Sequence, residues 1–434
     1  MKDIIFSSGL CELYRQAKED FTRERLLPFG SVVVVMLSGK KLSLQNALNK
    51  FFKALGKVFE VPSASAYCQA KRKVKAEVFV HLNRSVREDF YRLYGAEEKV
   101  KLWHGHRLVG ADGTYLNLPD TKELRKAFSV HRNQHPGEKS EQVQAMGMVL
   151  YDLLNDLGLR GAMAPSHTAE KSLLFNHLWS ELQPSDVLVL DRHSADYTII
   201  AQAVRDQLDV VIRCGRQSFK PVMEFFKSPE KERIVTLQVT ESVRTKQYVK
   251  QHNLPESVEV RLLKFKLENG EEEVLLTTLC AVKKYPRKEF FKVYGLRWRD
   301  ETFYDRIKNI FELERFSGLS EESIKQDFYG VIFLATLESV LSRETETAMQ
   351  ESATERETKT APQVNHAVSY VALVGQVASL LADPTASVEE TLRELKHLFR
   401  TNPTRVRNGR KYARKKLTHA RKLRYHRYTK RVIA

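Results

Sequence analysis

The chain has 434 residues, 42% of them hydrophobic, and a formal net charge of +17. Its length predicts two or three domains. No run approaches the roughly 20 apolar residues of a membrane span, and Glu12 and Arg15 interrupt any N-terminal leader core, so a membrane protein and a secretory precursor are not expected. The four cysteines, Cys11, Cys68, Cys214 and Cys280, make no CxxC pair and fit no zinc spacing. Reduced thiols in a cytoplasmic protein are the expectation.

The charge is concentrated at one end. Residues 401–434 carry 13 Lys and Arg side chains and no acid, leaving about +4 for the rest. Such a segment repels itself and needs a polyanion. Tyr412, Tyr425 and Tyr428 interleave with the charges and offer rings to bases or sugars. Nucleic acid is the expected partner.

In chain order, residues 1–102 read as a helical region, taken as a DNA-binding unit, although a plain amphipathic bundle fits the pattern equally. "SVVVVML" (31–37) reads as a buried helix or strand, and Leu44, Leu48, Phe51, Phe52 and Leu55 recur at helical spacing. After Trp103 the pattern changes. "HRLVGADGTYLNL" alternates as a strand, and "QAMGMVLYDLLNDLGLRGAMA" predicts two strands joined near Asn155–Gly158. A helix ("AEKSLLFNHLWSEL"), a buried strand ("DVLVLD"), a second helix and a further strand ("DVVIRCG") follow, which predicts a mixed α/β sheet over 103–215. Residues 216–285 read as a β-rich insertion with a hairpin turn at Asn269–Gly270. Helices return over 286–342. Residues 343–361 have almost no apolar periodicity and read as a linker or frayed helix. Two helices, at 365–382 and 387–399, precede the basic tail, so that 343–434 forms a C-terminal helical region.

Three acids stand in unusual settings. Asp112 interrupts an apolar strand, Asp191 ends one, and Glu301 lies in "YGLRWRDETFYDRIK" (294–308). A carboxylate among apolar residues costs several kcal/mol unless it is paired or holds a cation. Acids on neighbouring strands, joined by a third from a helix, suit divalent cations, and two such ions suit phosphodiester chemistry. Taken singly, Asp112 before Gly113 also fits a turn, Asp191 a helix cap, and Glu301 an ion pair with Arg297. At about 100° per residue, Leu296, Phe303, Ile307 and Ile310 fall on one face of the 294–308 helix. Tyr294, Arg297, Glu301 and Lys308 fall on another, suited to a metal ion flanked by phosphate contacts.

The spacing Tyr-x2-Arg-x3-Glu-x6-Lys, filled by Tyr294, Arg297, Glu301 and Lys308, resembles the hallmark of the insertion-sequence-four family of DDE transposases. "GADGTYLNLPD" resembles that family's first aspartate block, "VLVLDRHSADY" its second, and residues 311–341 the segment after its glutamate. The resemblance covers roughly residues 30–430. It implies a ribonuclease-H-like mixed-sheet catalytic core with a β-rich insertion. It also implies Asp112, Asp191 and Glu301 as catalytic ligands of Mg²⁺, with Mn²⁺ as substitute. Tyr294, Arg297 and Lys308 would contact DNA phosphates at the element end, with Arg192 and Trp298 as further DNA contacts. The implied activity is cut-and-paste transposition through a DNA hairpin, by a homodimer acting on terminal inverted repeats and target DNA. Rivals are a catalytically silent DNA-binding derivative, a nuclease of the same fold, and an RNA-binding protein that works through its tail. In two places the chain departs from the family: His193 stands in the second block, and the insertion lacks a tryptophan for base stacking. Tyr248 or Phe219 is the expected substitute.

Overall fold

In the computed structural model of the chain, residues 1–23, 25–38, 43–132, 141–355 and 362–405 are described. Most of the basic tail lies outside them. Six helices open the chain: α1 (Lys2–Ile5), α2 (Ser8–Tyr14), α3 (Phe29–Leu37), α4 (Leu44–Ala54), α5 (Ala64–Lys71) and α6 (Glu77–Ala96). Ser7 and Ser63 cap α2 and α5 by accepting from the amides of Leu10 and Ala66. The ambiguous valine run is helical. Val32, Val33, Val34 and Val35 are all buried, so packing overrides the low helix propensity of β-branched residues.

Next come β1 (Leu108–Asn117), α7 (Lys122–Phe128), β2 (Val130–Arg132), β3 (Glu141–Asp152) and β4 (Leu157–Pro165). The helix α8 (Glu170–Leu173) runs on through a π turn and a 3₁₀ turn to Glu181, followed by β5 (Val187–Leu190), α9 (Tyr197–Arg205) and β6 (Asp209–Cys214). β1, β3 and β4 pair antiparallel, while β1–β5 and β5–β6 pair parallel. The order β4-β3-β1-β5-β6 is that of a ribonuclease-H-like sheet, as expected. It follows from sequence: β3 and β4 are joined by a tight turn, whereas the parallel steps each need a helical crossover.

Residues 216–285, read as a β-rich insertion, hold two helices beside their three strands. These are α10 (Lys220–Lys227), β7 (Glu232–Gln238), α11 (Val243–Gln251), β8 (Ser257–Lys266) and β9 (Glu272–Thr277). The expected hairpin joins β8 to β9, with Gly270 at φ 83°. β9 then pairs antiparallel with β6, so the central sheet continues as β6-β9-β8-β7. The segment is an extension of the sheet.

The chain closes with α12 (Arg287–Gly295), α13 (Trp298–Asp305), a π turn (Arg306–Ile310), α14 (Glu321–Glu355), β10 (Pro362–Val364), α15 (His366–Leu381), α16 (Val388–Thr401) and β11 (Pro403–Arg405). Of the two readings of residues 343–361, linker or frayed helix, the helical one holds as far as Glu355, and 356–361 lie outside the described residues. α14 continues from Glu321 to Glu355. One apolar core joins the sheet face carrying Leu108 and Leu116 to Phe79, Ile307, Phe328 and Leu373 from the surrounding helices. A second lies on the opposite face, where Val109, Ala111 and Leu190 meet Leu174 and Ile199. No described helix is long and apolar enough to cross a membrane.

Candidate active site

The site forms where β1 and β5 run side by side. Their register pairs Gly110 with Val189, so Asp112 and Asp191, each two residues further on, emerge at the same level. Asp112 is still within β1, opposite Val149 of β3. Burial raises its carboxyl pKa, and the neighbouring Asp191 charge raises it further, while Arg297 opposes both. Asp191 marks the end of its strand. Its Oδ1 accepts from the amides of His193 (2.9 Å) and Ser194 (3.3 Å), capping a short 3₁₀ turn. The capping and site roles are compatible, because every one of those bonds falls on Oδ1.

The third predicted acid arrives from α13. Arg297 joins it to the strand: Nη2 lies 2.8 Å from Glu301 Oε1, and Nη1 lies 3.6 Å from Asp112 Oδ2. The guanidinium also stacks over Trp298, 5.0 Å from the ring centre. The Arg297–Glu301 contact is the one the spacing suggested, and Arg297 adds Asp112 to it.

The expected single regular helix over 294–308 is not found. α12 ends at Gly295, α13 starts at Trp298, and a π turn replaces α geometry from Arg306. The four motif residues do not line one open stripe. Tyr294 and Arg297 are buried, at 6% and 8% exposure. Burial raises the Tyr294 pKa. Lys308, carried round by the wider π turn, donates to Thr114 Oγ1 (2.5 Å) and to the Tyr115 carbonyl (2.8 Å). Burial lowers its pKa, with Glu314 opposing. It fastens the helix to β1 on the side where Asp112 lies. Of the predicted DNA contacts, Trp298 and Arg192 are exposed. Tyr248 stacks on His252 with ring centres 4.1 Å apart and donates to Gln202. Phe219 packs against the second core.

Three residues escaped the sequence reading. Tyr304 Oη donates to the Asp112 carbonyl (2.6 Å) and accepts from the Val149 amide (2.9 Å), clamping α13 on the sheet. Asp300 is 2% exposed, and neither carboxyl oxygen has a hydrogen-bond partner. Burial, with Asp112 beside it, pushes its pKa well above the carboxylate range. It stood in plain view, since it falls about 40° from Leu296 on the predicted core face. Glu170, in the first turn of α8, has its pKa raised by burial and by the charges of Asp112 and Asp191. An acid in a first turn is ordinary, so nothing in its local context singles it out.

The oxygen donors of Asp112, Asp191 and Glu301 suit a hard divalent cation in kind, and the burden on Asp112, which Arg297 offsets only in part, suits one in charge. As the side chains stand, no three His, Cys, Asp or Glu residues among those described form a group able to hold a metal ion. Glu301 is bonded to Arg297 and would have to exchange that bond for the ion.

No protein-family model matches the chain. A search of curated proteins finds the transposase InsG of insertion sequence element IS4 from Escherichia coli (strain K12). It is 24% identical over 325 residues, spanning 73% of this chain and 70% of the relative. The chain is similar to an insertion-sequence transposase. The resemblance read from the Tyr-Arg-Glu-Lys spacing is borne out over most of the chain. A solved piggyBac transposase synaptic complex with hairpin DNA aligns over 92% of this chain and 84% of that one, at a TM-score of 0.41 and 8% identity.

Proposed function

We propose that the chain is a DNA transposase. It would cut and rejoin DNA at the ends of its insertion sequence by metal-dependent phosphodiester hydrolysis and transesterification, through a hairpin intermediate. One observation carries the reading. Asp112 and Asp191 leave adjacent parallel strands at one level, and Arg297 ties the first of them to Glu301. The named activity of the curated relative supports it.

In this reading Asp112, Asp191 and Glu301 would hold Mg²⁺, or Mn²⁺ in its place. When bound, the ions supply Lewis-acid activation of water or a 3′-hydroxyl and stabilise the leaving oxygen. The chain's own residues fix the frame. Tyr304 and Lys308 dock the helix on β1, so Glu301 is presented on the Asp112 face. Arg297 holds Glu301 beside Asp112 and would offer its guanidinium to a phosphate next to them. Exposed Trp298 and Arg192 offer a ring and a charge to the DNA that flanks the cut. Double-stranded DNA is the substrate, as terminal inverted repeats and as target, and a homodimer would bring two ends together.

The test uses DNA carrying the inverted repeats that bracket the gene, incubated with the full chain and Mg²⁺. Nicking at the repeat boundary and joining to a second duplex are the expected products. Asp112→Ala, Asp191→Ala and Glu301→Ala should each remove both. Cleavage that survives all three substitutions rejects the assignment, and cutting without joining indicates a nuclease.

A further inference from the structure

Behind the helix that carries Glu301, the turn between β3 and β4, α14 and β10 enclose a cavity of about 210 Å³. Arg299 and Thr302, which line it, leave α13 about 160° and 100° away from Glu301. Its rim is exposed at Lys101, Arg299, Thr302 and Thr347, while Tyr151, Phe303, Arg306 and Ser339 are buried beneath. Except for Phe303, every lining side chain carries a polar group. Sites for organic ligands are mostly apolar and run from about 300 to 1,000 Å³. This one is smaller and polar. At roughly 30 Å³ per water it holds about seven waters, or one small oxyanion with part of its shell.

Charge decides between the two. Lys101, Arg299, Arg306 and Arg343 line the cavity against two acids, Asp156 and Glu346. Asp156 is already engaged: Arg299 meets it at 3.2 Å and Tyr151 donates to it at 3.3 Å. Burial raises the pKa of half-buried Glu346, and the Asp156 charge raises it further, so its negative charge is disfavoured. His366 is paired with Glu338 at 3.0 Å. The two inner arginines are short of acceptors. Arg306 is 6% exposed, its Nε has no partner among the described residues, and Glu338 comes only within 3.7 Å of it. Arg343 donates to the Lys99 carbonyl (2.8 Å) and to Asn155 Oδ1 (3.1 Å), and makes no ion pair among the described residues. Burial lowers its pKa, and Tyr94, Asp152 and Asp156 offset that only in part. Guanidiniums held out of water with neutral acceptors or none favour an incoming anion.

We propose that this cavity binds a phosphate group, with Arg306 and Arg343 as its buried donors and Lys101 and Arg299 at its rim. It shares no residue with Asp112, Asp191 and Glu301, so it stands whether or not those acids hold a cation. The bound group joins α13, α14 and the β3–β4 turn from behind the helix that presents Glu301. A DNA backbone phosphate and inorganic phosphate offer the same chemistry, and the test separates them.

Inorganic phosphate is titrated into the DNA-free full chain in chloride buffer and followed by calorimetry. One saturable site per chain is expected. Arg343→Gln should weaken it about tenfold or more, as the loss of a hydrogen bond to a charged group does. The double variant Lys101→Gln/Arg299→Gln, on the exposed rim, should weaken it in the same direction, and it decides if Arg343→Gln fails to fold by circular dichroism. The basic tail is the same in every variant and so does not produce the difference. The titration is then repeated with duplex DNA bound. Loss of the phosphate site assigns the cavity to a backbone phosphate, and an unchanged site assigns it to free phosphate; either result keeps the pocket. A wild-type chain with no saturable site, or wild-type affinity in both variants, overturns the proposal.

Discussion

Gly110 is bare because Asp300 fills the space a side chain would need. A Cβ there would meet both carboxyl oxygens and Cγ of Asp300 between 2.1 and 2.6 Å. Gly110→Ala is therefore expected to cost about 1–3 kcal/mol, as overpacking usually does, measured by urea denaturation. Combining it with Asp300→Ala should recover part of that loss, because the two sites are in contact. Simple additivity would show that the clash is relieved elsewhere. Arg297 makes a different demand. Its two terminal nitrogens reach Asp112 and Glu301 at once, a planar fork that the single nitrogen of a lysine ammonium does not reproduce. Arg297→Lys should keep the fold and lower cleavage by about 10- to 100-fold, measured in single-turnover assays. Unchanged cleavage would show that bridging the two acids is not required.

At the scale of elements, the π turn at Arg306–Ile310 holds the end of the Glu301 helix and rests on a buried charge. Arg306 meets Glu338 of α14 at 3.7 Å, and Glu338, fully buried, also accepts from Ser369 and pairs with His366 of α15 at 3.0 Å. Burial alone would raise the Glu338 pKa, but His366, Arg306 and Ser369 together hold it below the ordinary carboxylate value. Since the folded pKa is depressed, its contribution is present above the unfolded value and is lost as pH falls through the folded one. Glu338→Gln should cost about 3–5 kcal/mol at neutral pH by stranding Arg306. It should also flatten the fall of Tm between about pH 5 and about pH 2. An acid limb identical to wild type would place that titration elsewhere. None of this network was legible in the sequence, since Arg306, Glu338 and His366 are far apart in the chain. The sheet was legible, because alternation and tight turns mark β1, β3, β4 and the β8–β9 hairpin locally. Asp112 and Asp191 stood out in the sequence as acids in apolar strands, and Glu301 by its spacing from Tyr294, Arg297 and Lys308. The π turn was not, because a fixed 100° step carries Lys308 to the wrong face. Nor was Glu170, whose meaning comes from a strand more than fifty residues earlier.

Two segments decide how the whole molecule is organised. Because β9 pairs with β6, and Arg213 of β6 meets Glu273 of β9 at 3.1 Å, residues 216–285 complete the sheet. Replacing them with a short linker should expose the β6 edge and give aggregated protein, seen by size-exclusion chromatography. A well-behaved monomer would mean that the core closes without them. The basic tail behaves oppositely. α16 ends at Thr401 and β11 at Arg405, so removing residues 406–434 cuts no described element and should leave Tm unchanged. It does remove 12 Lys and Arg side chains and no acid. Each phosphate that is no longer neutralised lowers the slope of log affinity against log salt by roughly 0.9. If about half of these charges reach phosphates, the slope should become shallower by about 5, measured by fluorescence anisotropy on duplex DNA at several salt concentrations. A parallel drop on unrelated sequences would mark the tail as a sequence-blind anchor, leaving recognition of the ends to the folded part of the chain. An unchanged slope would mean that its charges do not reach the backbone at all.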